Sequence, residues 1–145
     1  MTWMSDLTSS GSMPALEVTL RFAGQRQKII AHNVANLTTP DFRPVDVSPR
    51  AFQATLSRAI EERRSRGGLG PMPIGSSREI RQRGDGSLEL NPRTLSGGVL
   101  AHDRNNRDLE RMMQDLAENT AVFRTASDLY KNRSDLLRSA IAQRV

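Results

Sequence analysis

The chain has 145 residues and a formal net charge of +5, carried almost wholly by arginine, since Lys28 and Lys131 are its only lysines. Hydrophobic residues make up 37% and aromatics 4%, below the roughly 45–50% apolar usage of ordinary domains, which predicts an elongated or assembly-dependent fold. The absence of cysteine excludes disulfides, thiolate metal sites and cysteine nucleophiles. The two histidines, His32 and His102, fall short of a zinc ligand set, and no apolar run approaches the ~20 residues of a membrane helix.

Residues 1–12 are rich in Ser, Thr and Gly and read as a mobile tail. They lack the basic start and apolar stretch of a cleavable signal peptide. Trp3 in that tail is either a chance aromatic or an anchor that docks on a partner.

Residues 13–37 read as the first helix. Pro14 suits its first turn, where a missing N–H costs nothing. Leu16, Leu20, Ala23, Ile30, Val34 and Leu37 follow heptad-like steps, interrupted by Gln27. Asn36 is a candidate cap and Pro40 forbids continuation. Residues 38–49, with Pro40, Pro44 and Pro49, read as an extended connector.

A short amphipathic helix is predicted over 49–65. Ser48 is its N-cap, Pro49 its first residue, and Phe52, Leu56, Ala59 and Ile60 form its apolar face. Residues 66–77 (RGGLGPMPIGSS) read as a flexible loop. Asp85-Gly86 between short apolar segments predicts a small hairpin over 78–90, and 91–104 read as irregular.

Residues 105–143 contain neither Pro nor Gly and read as the longest helix, capped by Asn105 or Asn106. Leu109, Met113, Leu116, Thr120, Phe123, Ser127, Tyr130, Ser134, Leu137 and Ile141 keep alternating four- and three-residue steps. The predicted fold class is mainly α. N- and C-terminal helices pair as an antiparallel coiled coil around a partly irregular middle that holds the short helix and hairpin. In that division, 1–12 are the tail, 13–43 the first helix and its turn, 44–104 a variable middle, and 105–145 the long helix. The first-helix residues Leu16, Leu20, Ile30, Val34 and Leu37 are expected to meet Leu116, Phe123, Tyr130, Leu137 and Ile141, within one subunit or between subunits. The surplus length of the last helix needs other subunits to bury it.

Three function classes are open on composition. An enzyme has little support: Glu61 and Glu62 are adjacent and point ~100° apart on a helix, and Asp85 has no nucleophile or phosphate loop near it. No cofactor or metal is expected. An arginine-rich nucleic-acid-binding module would use Arg63, Arg64, Arg66, Arg78, Arg81, Arg83 and Arg93, but the middle lacks interleaved aromatics for stacking. The third class is a structural subunit. Asn33 and Asn36 then either cap and face the helix surface or bond neighbouring backbone in an assembly.

The stretch from Arg26 to Phe42, with Asn33-Val34-Ala35-Asn36 and then Thr39-Pro40-Asp41-Phe42, resembles the N-terminal signature of flagellar rod, hook and related axial proteins. Asp41 stands where that pattern has glycine. The C-terminal runs Asn105–Met113, Leu116–Thr120 and Leu136–Ile141 narrow the resemblance to the FlgB family of proximal rod proteins, with the sibling FlgC family as the nearest alternative. The resemblance implies a non-enzymatic subunit of the flagellar basal body. It would be exported by the flagellar type III apparatus without a cleaved signal and assembled in the periplasm. Its partners would be FlgC and further rod proteins, the adaptor FliE, the inner-membrane ring and export gate, and other copies of itself. Asn33, Ala35, Asn36, Thr39, Pro40 and Phe42 are the motif residues it marks.

Overall fold

The computed structural model describes residues 11–68, 70, 72–95 and 104–143, and side chains in the last helix from residue 109 onward. The elements in chain order are α1 (Met13–Ala35), β1 (Val45–Asp46), α2 (Pro49–Ser65), β2 (Ile80–Gln82), β3 (Leu88–Leu90), β4 (Arg93–Thr94) and α3 (Arg104–Ala142). The fold is mainly helical, as the periodicity predicts. Trp3, His102 and the stretch 96–103 lie outside the described residues.

α1 begins on Pro14 in its first turn and ends at Ala35, two residues short of the predicted Leu37. α2 starts where its cap chemistry places it: the Ala51 N–H donates to Ser48 Oγ at 3.2 Å, with Pro49 as the first helical residue. Its end is closed by the Gly67 and Gly68 N–H groups, which donate to the Arg64 and Arg63 carbonyls at 3.1 and 2.9 Å.

α1 and α3 pack antiparallel. Arg26 of α1 meets Asp115, Gly24 lies against the Phe123 ring, and the Arg133 guanidinium lies against Gly11 just ahead of α1. α3 has 39 residues against 23 in α1, about 58 Å against 34 Å at 1.5 Å per residue. It therefore continues past the start of α1. No helix among the described residues is long and apolar enough to cross a membrane.

The principal apolar core lies on the other side of α1. Val18 and Phe22 pack with Val47, Phe52 and Ala59 of the connector and α2, and with Met72, Ile74, Ile80 and Leu88. The Phe22 and Phe52 rings stack with centroids 3.9 Å apart. Met72 and Ile74 correct the reading of 66–77 as a flexible loop. The Gly- and Pro-rich chain carries two buried side chains, and Gln82 Oε1 accepts from the Ile74 N–H at 2.8 Å.

The hairpin forms at the predicted Asp-Gly turn, with Ile80 opposite Leu90 and Gln82 opposite Leu88. Arg83 N–H donates to the Ser87 carbonyl and Gly86 N–H to the Arg83 carbonyl, both at 2.9 Å. Gly86 takes φ +80°, which a side chain would disfavour. Arg21 and Gln25 of α1 donate to the Gly86 and Leu88 carbonyls, fixing the hairpin to the helix. A second antiparallel pair joins β1 to β4, with Val45 opposite Thr94. The connector read as merely extended thus becomes a sheet strand.

Candidate assembly surface

The turn after α1 is built by two asparagine amides. Asn33, 3% exposed, donates from Nδ2 to the Val45 carbonyl at 2.7 Å and accepts the Val45 N–H on Oδ1 at 3.1 Å. One side chain thereby supplies both hydrogen bonds that a strand neighbour would give, holding β1 against α1. Asn36 closes the helix end. Its Nδ2 donates to the His32 carbonyl at 2.9 Å, and Thr39 Oγ1 donates to its Oδ1 at 3.4 Å. Asn36 caps the helix as one sequence reading has it, whereas Asn33 is buried and bonds the Val45 backbone of its own chain instead of lying on the helix surface.

The Thr39 and Phe42 N–H groups continue the turn by donating to the Asn36 and Thr39 carbonyls at 3.0 and 3.2 Å. Phe42 packs edge-on to His32 with ring centroids 5.7 Å apart. Ala35, Thr39 and Pro40 are exposed. Asp41, in the glycine place of the signature, takes φ +59° and is the sole non-glycine with positive φ among the described residues. Aspartate tolerates this left-handed conformation better than most side chains.

A buried ion cluster, which periodicity does not reveal, ties the terminal helices to the middle. Arg26 is 4% exposed. It forms a fork on Asp46 of β1, Nε to Oδ1 at 3.0 Å and Nη2 to Oδ2 at 2.7 Å. Nη2 also reaches Asp115 Oδ1 of α3 at 3.3 Å. Burial pushes the guanidinium toward neutrality, but Asp46 and Asp115 more than offset this, so its pKa lies above the ordinary arginine value. One helical turn along, the buried Asn119 donates from Nδ2 to the Ala23 carbonyl at 2.9 Å and to Gln27 Oε1 at 2.7 Å. Gln27, the interruption in the α1 stripe, has its partner here.

The heptad seam of α3 is only partly enclosed. Leu116, Tyr130 and Leu137 are half-buried, whereas Leu109, Met113, Phe123 and Ile141 are exposed, Phe123 by 43% with one edge against Gly24. The buried line instead runs Met112, Asn119, Ala126. That line has the same seven-residue spacing, offset by one position from Met113, Thr120 and Ser127. On α1, Ile30 is buried and Leu16, Leu20 and Val34 are half-buried; Leu37 is half-buried in the turn beyond the helix.

On the flank of α3, Val122, Leu129 and Leu136 repeat every seven residues and are 45%, 51% and 63% exposed. They share one helix face by spacing, and α1 does not cover it. An open groove of about 780 Å³ lies between the start of α1, the hairpin tip and Tyr130, with Met13, Val18, Met72 and Ile74 along it. The arginines of the middle do not form one solvated face. Arg63 is buried and donates to the Gly70 and Gly11 carbonyls at 3.2 and 2.8 Å, while Arg64, Arg66, Arg78, Arg81, Arg83 and Arg93 are exposed.

No protein-family model matches the sequence. Among curated proteins, the chain is similar to a protein of Borrelia hermsii named flagellar basal body rod protein FlgB. The two are 32% identical over 104 residues, covering 68% of this chain and 71% of that protein. The similarity agrees with the Asn33–Phe42 signature and with the packing of the terminal helices on each other, and the chain belongs to the family of flagellar basal body rod proteins FlgB.

Proposed function

We propose that the chain is a non-catalytic structural subunit of the flagellar rod, built into the proximal rod through lateral packing of its terminal helices. The observation that carries this reading is the face of α3 marked by Val122, Leu129 and Leu136. A helix that presents a large apolar residue every seven positions to solvent, beside a seam already occupied by α1, is suited to pack against helices of neighbouring subunits. Because such contacts join different faces of successive copies, they propagate a helical tube instead of closing a dimer. The relative's name favours FlgB over the sibling FlgC. The partners follow from the same reading: further rod subunits including FlgC, the adaptor FliE, and the inner-membrane ring with its export gate. The chain would reach the periplasm through the flagellar type III apparatus.

Export through a narrow channel requires unfolding. Of the described α3 apolar side chains only Met112 and Ala126 are buried, beside the polar Asn119, with Leu116, Tyr130 and Leu137 half-buried, so limited apolar area holds α3 down. Rod stiffness would then come from neighbours burying what the monomer leaves exposed.

The test is Leu129→Asp with Leu136→Asp in a strain lacking the native gene. Both side chains are solvent-exposed, so the purified variant should keep the helical circular dichroism and melting midpoint of the parent. Motility in soft agar should be lost and the variant absent from isolated basal bodies. Normal motility and normal incorporation would overturn the assignment of this face to assembly.

A further inference from the structure

We infer that Asn119 with Gln27, backed by Asp115 with Arg26, is the register lock of the α1–α3 pair, favouring one alignment of the long helix among those its seven-residue seam repeat offers.

The need for a lock follows from the sequence of α3. Its large seam residues Leu116, Phe123, Tyr130 and Leu137 recur every seven positions, and so do the small ones, Thr120, Ser127 and Ser134. α1 repeats in the same way, with Leu16, Ala23, Ile30 and Leu37 in one register and Leu20, Gln27 and Val34 in the other. A seven-residue slide of α3, about 10.5 Å, replaces each of these α3 residues with a similar one. α3 exceeds α1 by 16 residues, most of them past the start of α1, so a slide that brings Val122 toward Arg26 leaves α1 covered, whereas the opposite slide uncovers the last turn of α1. α1 itself cannot follow, because its other face is held by Phe22 on Phe52, by Asn33 on Val45, and by Arg21 and Gln25 on the hairpin.

The repeat breaks at two places that face α1. Where Asp115 and Asn119 stand, the next seven-residue equivalents are Val122 and Ala126, and the preceding ones are Asp108 and Met112. Sliding one way brings Val122 and Ala126 to Arg26 and Gln27. Arg26 keeps Asp46 but loses Asp115, and the Gln27 amide loses its partner. Sliding the other way brings an aspartate back to Arg26, but Met112 still faces Gln27 and the Ala23 carbonyl. The Asn119 amide opposes both slides; Asp115 adds to the exclusion of one, in which Arg133 would also move into the buried place of Ala126. A buried polar pair that fixes helix register against an apolar background is a well-attested use of such groups.

The test uses the full chain, whose lack of native cysteine allows engineered thiols to report the alignment. Gly24→Cys is combined in turn with Phe123→Cys, Leu116→Cys or Tyr130→Cys and treated with a dithiol-reactive linker about one helical turn long. In the parent background, only the 24–123 pair should link within the monomer. Asp115→Val with Asn119→Ala writes the Val122/Ala126 repeat into the native register and should raise linking at 24–116 or 24–130 by tenfold or more. Asn119→Ala alone should raise it in the same direction, and serves where the double variant loses its helical circular dichroism. Linking confined to 24–123 in these variants would overturn the inference, as would comparable linking of all three pairs in the parent. Neither outcome depends on the role of the chain in the rod.

Discussion

Replacing Asn33 by alanine removes its two bonds to β1 and leaves the Arg26–Asp46 fork to hold the strand to α1. Its two hydrogen bonds to Val45, at 2.7 and 3.1 Å, are each worth about 1 kcal/mol net, and a backbone group left unpaired in a dry site costs about 1–3 kcal/mol. Asn33 itself is buried while Val45 is only half-buried, so water can reach part of the vacated site. The expected loss is then about 2–3 kcal/mol, a large share of the roughly 5–15 kcal/mol of a typical domain. With a urea slope of about 1–3 kcal/mol per molar, the unfolding midpoint should fall by about 0.7–3 M. Amide hydrogen exchange gives the site-specific readout, since the Val45 N–H donates directly to Asn33 Oδ1. Its protection should drop more than that of amides inside α2, which Asn33 does not touch. Unchanged protection at Val45 together with an unmoved midpoint would refute the clamp.

At Asp41 the φ of +59° sets the outcome. Asp41→Val should cost about 1–2 kcal/mol, whereas Asp41→Gly, the residue of the family signature, should be neutral within about 0.5 kcal/mol; thermal melts of the two variants check this. Arg26→Met leaves Asp46 and Asp115 facing the same buried space and should cost about 3–5 kcal/mol, while Asp115→Asn, at the more exposed and longer contact, should cost about 1 kcal/mol or less; urea titrations separate them. In the hairpin, the Ser87 hydroxyl and N–H donate to Asp85 Oδ1 at 2.6 and 2.9 Å and hold its pKa below the ordinary carboxylate range. A depressed folded-state pKa favours the ionised, folded chain above the unfolded value, and that contribution is lost as pH falls through the folded value. Ser87→Ala should move the Asp85 pKa upward in a carboxyl NMR titration.

The parts legible in the sequence were those whose signals are local. Ser48-Pro49 marked the start of α2, Asp85-Gly86 the hairpin turn, and the unbroken run without Pro or Gly the long α3. Each depends on neighbours a few residues away. The parts that were not legible depend on partners distant in the chain. Arg26 meets Asp115 across 89 positions and Asn119 meets the Ala23 carbonyl across 96, and a periodicity that scores apolar residues treats such polar groups as breaks. The pairing of β1 with β4 spans two residues on each side, too short for an alternating pattern. Met72 and Ile74 sit among glycines and prolines, which mark an irregular backbone without saying whether its side chains are buried. The candidate assembly residues divide in the same way. The Asn33–Phe42 turn stands out as a motif, but the α3 face at Val122, Leu129 and Leu136 becomes distinct from the α1-facing seam only once α1 is in place.

A place in the rod is tested most directly by mass spectrometry of purified hook–basal bodies from the source organism, before and after the filament and hook are stripped. A rod subunit should be present at low copy in both samples, alongside the other rod proteins. Intact basal bodies that contain those proteins and lack this chain would contradict the assignment.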